Sequence, residues 1–289
     1  MDASAATTMV LLCAIWALGQ IAIKVGNGGI SPLWQTALRS VGAGLLVAGW
    51  MTWRGRPLVP PRAMAGWGVA IGAAFALEFV CLFIGLSLTT AARGSVLLYT
   101  APFFVALGGH RLLDDRLTPT RVAGLVLAFA GVAVALGDRA AGAAAQGDAL
   151  GDVLCLAGGF MWAATTLIIK ATPLREEPPE RTLLVQLVVS APLLALAAVL
   201  AGERGIAPDA SPLAWAALGY QVLVVASFSY LGWFIMVQRH SPAKVSAYTF
   251  LTPLFGVAFA AVLLREPLTP LLAVAAALIA VGIWLVNRR

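Results

Sequence analysis

Charged residues are scarce in this sequence: Asp, Glu, Lys and Arg make up 11% of 289 residues, where a soluble protein carries roughly a quarter. No stretch is polar enough to build a soluble domain or a charged tail. Histidine occurs twice and cysteine three times. Cys13, Cys81 and Cys155 lie in apolar surroundings without metal or redox spacing, so they read as small core residues, and neither metal nor cofactor is expected. The sequence has no phosphate loop, nucleophile elbow or metal-ligand cluster, which argues against an enzyme and against ATP-driven work within this chain. No basic segment precedes the first apolar stretch and no clear cleavage site follows it, so that stretch reads as a retained helix. Ten-residue segments of alternating polarity, the mark of a membrane β-barrel, are missing too.

What fills the chain is apolar residue, 61% of the total. Ten apolar stretches lie at about 7–25, 32–53, 63–87, 92–110, 119–137, 149–171, 181–201, 212–238, 242–264 and 268–286. Each is long enough to cross a hydrocarbon core roughly 30 Å thick as a helix. The fold class is therefore an all-α integral membrane protein with ten transmembrane helices. The net charge of +6 reads as topology. With a cytoplasmic N-terminus, Arg54, Arg56, Arg62, Arg111, Arg116, Arg121, Lys170, Arg175, Arg181, Arg239, Lys244, Arg288 and Arg289 fall inside, against Lys24, Arg93, Arg139, Arg204 and Arg265 outside. Thirteen against five places both termini in the cytoplasm. The lipid bilayer is then the partner that the basic excess serves, and no nucleic acid is expected.

The sequence is also a duplication. Trp16 and Lys24, eight positions apart, recur as Trp162 and Lys170, 146 residues later. Pro102, Leu117-Thr118-Pro119 and Gly131 recur 151 residues later as Pro253, Leu268-Thr269-Pro270 and Gly282. An insertion of about five residues in the loop around 172–180, longer than the matching turn Gly26 to Ile30, explains both offsets. The division expected is a first five-helix repeat at 1–138, a loop at 139–148 and a second repeat at 149–289. Five is odd, so the second repeat enters the membrane inverted, an arrangement characteristic of secondary transporters.

Few residues stand out as functional. Arg39 and Glu78 are the ionisable groups clearly inside helices, at depths differing by only about 3 Å at 1.5 Å rise per residue. They can form a structural ion pair, or Glu78 can serve substrate or proton. At the 151 offset both become serine, Ser190 and Ser229. Trp16, Gln20 and Lys24 share one helix face, as do Trp162, Thr166 and Lys170; each stripe lines a water-accessible cavity or anchors its helix at the interface. Pro102 and Pro253 fall mid-helix, as hinges or as static kinks. Near them Tyr99 and Tyr248, with Phe79, Tyr230 and Trp233 in helices 3 and 8, can clasp an amphipathic ligand or anchor helices. His110 and Asp115 have a weak acyltransferase-like spacing, but an acid at a helix start is explained by the helix dipole.

The two Trp-to-Lys stretches, the Pro102 and Pro253 helices, the turns Asp115-Arg116-Leu117-Thr118 and Glu266-Pro267-Leu268-Thr269, and Gly131 and Gly282 resemble the bacterial drug/metabolite transporter superfamily, EamA type. Within it the chain looks most like the YddG-type exporters of aromatic amino acids. The resemblance implies a central cavity between helices 1, 3, 4 and 6, 8, 9, with helices 5 and 10 as scaffold. By position, Trp16, Gln20, Glu78, Phe79, Tyr99, Trp162, Thr166, Tyr230 and Tyr248 would line it. The expected function is export of small organic metabolites, amino acids with aromatic ones favoured, by alternating access across the bacterial cytoplasmic (inner) membrane. The alternatives are transport of other amphipathic metabolites or drugs and, ranked lower, a membrane-embedded enzyme.

Overall fold

The computed structural model describes residues 1–88, 94, 97–140, 149–264 and 270–288. The Arg265 to Thr269 turn and most of the inter-repeat loop lie outside the described residues. Among the described residues, apart from a 3₁₀ turn at Pro173–Arg175, ten helical segments follow one another: α1 Ala3–Gly26, α2 Pro32–Trp53, α3 Arg62–Leu88, α4 Ala101–Leu112, α5 Pro119–Ala140, α6 Ala149–Ala171, α7 Pro179–Leu200, α8 Pro212–Arg239, α9 over 242–264 and α10 Pro270–Asn287. Five of them, α1, α3, α6, α7 and α8, are long and apolar enough to cross a membrane by length and composition alone. Among the described residues the β pairing is one isolated bridge, Ile30 to Ile206.

The helix starts follow from local chemistry. Proline opens α2, α5, α7, α8, α9 and α10, where its missing N–H has no partner to lose. Ser211 and Ser241 precede two of these prolines and accept N–H groups of the first turn. The first helix begins at Ala3, four residues ahead of its apolar stretch, because the Asp2 carboxylate accepts the Ala5 N–H at 2.8 Å.

The extensive helix contacts run between the two halves of the chain, not within them. Helix α5 packs on α10, α3 on α6 and α7, α2 on α7 and α8, α1 on α8 and α9, and α4 on α6 and α9. These pairs form exchange-related sets: α1–α9 matches α6–α4, α3–α6 matches α8–α1, and α3–α7 matches α8–α2. In lipid there is no hydrophobic exclusion to join helices, so close backbone approach through small residues carries the association. At the α5–α10 crossing a Cβ on Gly282 would lie 2.6 Å from the Gly124 carbonyl oxygen, and one on Gly131 would lie 2.9 Å from the Ala275 oxygen. The two contacts are images of each other at the 151 offset.

The ends of α2 and α7 are tied across the halves as well. Glu203, in the turn after α7, accepts the Leu33 N–H at 3.0 Å and the Trp34 N–H at 3.1 Å, capping α2 from outside its own segment. The same turn pairs with the one before α2 through Ser31 N–H to the Gly205 carbonyl at 2.9 Å and Ala207 N–H to the Gly29 carbonyl at 2.8 Å. At the start of α7, Glu180 forms an ion pair with Arg56 from the turn after α2.

Replacing Gly282 with Leu should separate α5 from α10 and cost about 1–3 kcal/mol through overpacking. Thermal unfolding in detergent should show a lower Tm for this variant and an unchanged one for Gly49→Ala, where the added methyl meets nothing within 4 Å. Removing the Glu203 carboxylate with Glu203→Ala should cost about 1–2 kcal/mol, the range for loss of a charged helix cap, and lower Tm in the same measurement.

Candidate functional site

The second part of α8 departs from the α-helix: Gln221–Ser229 is π-helical, between α-helical Pro212–Tyr220 and Tyr230–Arg239. The Ser227 hydroxyl donates to the Val222 carbonyl five residues back at 2.7 Å, which reinforces the i to i+5 register. π-Helical turns concentrate at functional sites, and this one borders a partly open cavity of about 120 Å³. The wall of that cavity comes from α1, α2, α3, the Leu98–Tyr99 turn, α6, α7 and α8.

The repeated tryptophans meet there. The Trp16 and Trp162 rings lie 6.4 Å apart edge to face, and Trp233 stands 5.4 Å from Trp16 and 6.3 Å from Trp162. Tyr99 lies 6.0 Å from Trp162, while Phe75 touches Phe79 at 4.9 Å and Tyr230 at 5.8 Å. Trp16 is fixed by its indole N–H, which donates to the Ser229 hydroxyl at 2.9 Å, and Ser229 in turn donates to the Val225 carbonyl at 2.6 Å. Ser229 is the repeat counterpart of Glu78, so a neutral hydroxyl orients an indole where the other half carries a carboxylate.

Of the residues expected at the site, Trp16, Gln20, Glu78, Phe79, Tyr99, Trp162 and Tyr230 line the cavity. Thr166 and Tyr248 fall outside the lining. Thr166 is fully buried and its hydroxyl donates to the Trp162 carbonyl at 3.1 Å; its neighbour Thr165, one helical step round, lines the cavity instead. Tyr248 packs into the apolar clusters beside α9, and its carbonyl accepts a hydrogen bond from the Cys13 thiol at 3.2 Å. Among the described residues α9 contributes nothing to the wall, whereas α2 and α7, outside the set of cavity helices that the resemblance implies, contribute Arg39 and Gln186. Neither lysine reaches the cavity: Lys24 is exposed, and Lys170 Nζ donates to the Gln238 carbonyl at 2.6 Å.

Arg39 and Glu78 face the same cavity and interact electrostatically. The guanidinium lies over the Phe79 ring at 4.5 Å and the Tyr230 ring at 5.7 Å. Its Nε and Nη2 atoms have no hydrogen-bond partner, so no bidentate fork joins the two side chains. The prolines mark interruptions that precede them. Pro102 is the second residue of α4, following the Tyr99–Thr100 turn, and Pro253 is the third residue of Leu251–Leu264, following a 3₁₀ turn at Tyr248–Phe250. Each helix therefore breaks before its proline, which then sits in a first turn where its missing N–H is harmless. Against the first break stands Gly159, where a Cβ would come within 2.7 Å of the Leu98 carbonyl; its repeat counterpart, Cys13, hydrogen-bonds the second break.

His110 and Asp115 form no reactive pair. Asp115 binds Arg121 at 2.6 Å and accepts the Ser241 hydroxyl, and His110 Nδ1 accepts the Leu117 N–H at 3.5 Å. Together they close the turn between α4 and α5.

A cavity walled by both halves of a duplicated, membrane-embedded helical bundle defines a membrane transporter. The EamA-like transporter family, part of the drug/metabolite transporter superfamily, matches residues 3–137 and again residues 149–288, and the chain belongs to that family. An uncharacterised transporter of Archaeoglobus fulgidus is 28% identical over 260 residues, covering 89% of this chain and 88% of the relative. A probable amino-acid metabolite efflux pump of Escherichia coli is 28% identical over 282 residues, covering 95% and 92%. A crystal structure 22% identical superimposes with a TM-score of 0.83 over 99% of this chain and 98% of the other, which establishes the shared fold.

Trp16→Phe removes the bond to Ser229 while keeping a ring, and leaves a buried hydroxyl without that donor. It should cost about 1 kcal/mol, read as a lower Tm, and His110→Ala should leave transport unchanged.

Proposed function

We propose that the protein exports amino acids across the bacterial cytoplasmic membrane by alternating access, with both termini cytoplasmic and the units 1–138 and 149–289 inverted with respect to each other. The observation that carries this reading is the cavity wall, in which edge-to-face and tilted aromatic rings stand beside one cation and one carboxylate, Arg39 and Glu78. An apolar side chain packs on the indoles while the charged end of the same molecule meets polar groups. The E. coli relative described as a probable amino-acid metabolite efflux pump supports the class of substrate. The match of one family to each half, the exchange-related helix contacts and the inside excess of Lys and Arg support the inverted arrangement.

Aromatic amino acids head the list because edge-to-face stacking is available on several sides. The breaks before Pro102 and Pro253, with α4 and α9 on either side of the cavity helices, serve as the hinges. Transport of other amphipathic metabolites or drugs is the competing reading, and it requires the cavity to accept molecules without the amino-acid head group.

Counterflow in proteoliposomes loaded in turn with phenylalanine, tryptophan and leucine tests the assignment. Exchange of at least one is expected, and exchange of none, with retained exchange of amphipathic amines or drugs, overturns it. Gly159→Ala should slow any exchange on the order of tenfold, because strain of about 1.4 kcal/mol or more is placed on a moving break. Gly256→Ala, in open space, should not.

A further inference from the structure

Helices α2 and α7 carry the same pair of positions, four residues apart: Gln35 and Arg39 in the first half, Gln186 and Ser190 in the second, related by the 151 offset. Two of the four are satisfied within the protein. Gln35 donates to Asn27 Oδ1 at 3.0 Å and accepts from the Gln221 carboxamide; Ser190 donates to the Leu187 carbonyl at 3.2 Å. Neither lines the cavity. The other two do line it, and both are unsatisfied. Arg39 is 2% exposed with Nε and Nη2 unpartnered, and Gln186 is 2% exposed with Oε1 unpartnered.

A buried guanidinium edge without an acceptor and a buried carbonyl oxygen without a donor each cost free energy, about 1–3 kcal/mol for a neutral group and more for a charged one. The duplicated positions show that this sequence can satisfy such groups internally when they face away from the cavity. The orphan set is also of opposite polarity: the free edge of Arg39 takes an anion, preferentially a planar carboxylate met by parallel N–H groups, and the free oxygen of Gln186 takes an N–H donor. The Phe79 and Tyr230 rings lie against the guanidinium, at 4.5 and 5.7 Å from its central carbon, and restrict its freedom to turn away from the cavity.

We propose that Arg39 and Gln186 are the two poles of a zwitterion site. Arg39 binds the substrate α-carboxylate; Gln186 Oε1, with the Glu78 carboxylate in the same cavity, receives the α-ammonium. The site rests on the amino-acid reading above and sharpens it. Selectivity is set by the head group, so amides and esters of a good substrate are rejected although their side chains fit.

The test uses the full-length protein in proteoliposomes and in detergent. Phenylalanine and leucine should compete for counterflow at least tenfold better than phenylalaninamide and leucinamide. Arg39→Gln should reduce that preference to within about threefold, and Arg39→Lys, which keeps the charge but loses the fork, should lie between. Gln186→Leu should erode the preference for leucine over 4-methylpentanoate, its deaminated analogue. An Arg39→Gln protein that retains wild-type acid-over-amide selectivity overturns the proposal. Should Arg39→Gln fail to fold, the wild type decides, because equal thermal stabilisation by phenylalanine and phenylalaninamide also overturns it. Wild-type exchange of phenylalanine and its amide at equal rates removes this site but leaves amino-acid export standing. The converse result, no amino-acid exchange together with Arg39-dependent stabilisation by 4-methylpentanoate, removes amino-acid export and retains the carboxylate pole.

Discussion

Among the described residues, every extensive helix interface joins one half of the chain to the other. Within a bilayer a helix gains nothing by hiding apolar surface from lipid, so it associates only where backbones can come close or polar groups can pair. Here those places lie between the halves: Gly124 against Gly282, the capping of α2 by Glu203, the Arg56–Glu180 ion pair at the head of α7. The halves interleave, and the cavity is the space that two interleaved layers fail to close. Its wall therefore draws on seven segments without any one of them being dedicated to it.

That construction explains why the centre is aromatic. Two copies of one sequence, packed through exchange-related contacts, bring their equivalent residues face to face near the centre, and Trp16 meets Trp162. An identical pair alone would give a symmetric, indifferent surface. Divergence of the copies supplies the chemistry: Glu78 opposes Ser229, Arg39 opposes Ser190, and Gln186 stands free where Gln35 is engaged. One copy of each pair does structural bonding inside the helix packing, and the other presents its polar atoms to the cavity. The transition from α- to π-helix in α8 adds a further difference, since it lies along the wall in the second half.

Much of this was legible in the residues. The duplication, the helix count, the proline-marked starts and the placing of the tryptophans all rest on signals that survive in one sequence: fixed offsets, span length, and residues that are costly in lipid. The share of α2 and α7 in the wall was not legible as chemistry, because a glutamine in an apolar run looks the same whether it pairs with Asn27 or faces a cavity. The 151 offset linking Gln35 to Gln186 was the available signal, and comparing the partners of the two would have required the packing. Thr166 and Thr165 differ by one helical step, which face-sharing arguments resolve poorly when a wide stripe faces inward. Tyr248 lies outside the lining, at a 3₁₀ turn that interrupts α9, a local break that its position beside Pro253 did not reveal. The π-helical stretch had only Ser227 to announce it, and a serine hydroxyl bonds back along ordinary helices as well.

Interleaving also has a consequence for how the chain is made. A ribosome delivers α1 to α5 to the bilayer first, and at that stage Gly124 and Gly131 lack their α10 partners, the α2 N-terminus lacks its Glu203 carboxylate, and Arg39 has Phe79 and Glu78 of α3 beside it but not Tyr230 or α7. The partners still missing are synthesised more than a hundred residues later, those in α10 last of all. The nascent first half is thus a set of inserted but unassembled helices. Until α7 arrives, the buried charge of Arg39 rests on Phe79 and Glu78 of its own half.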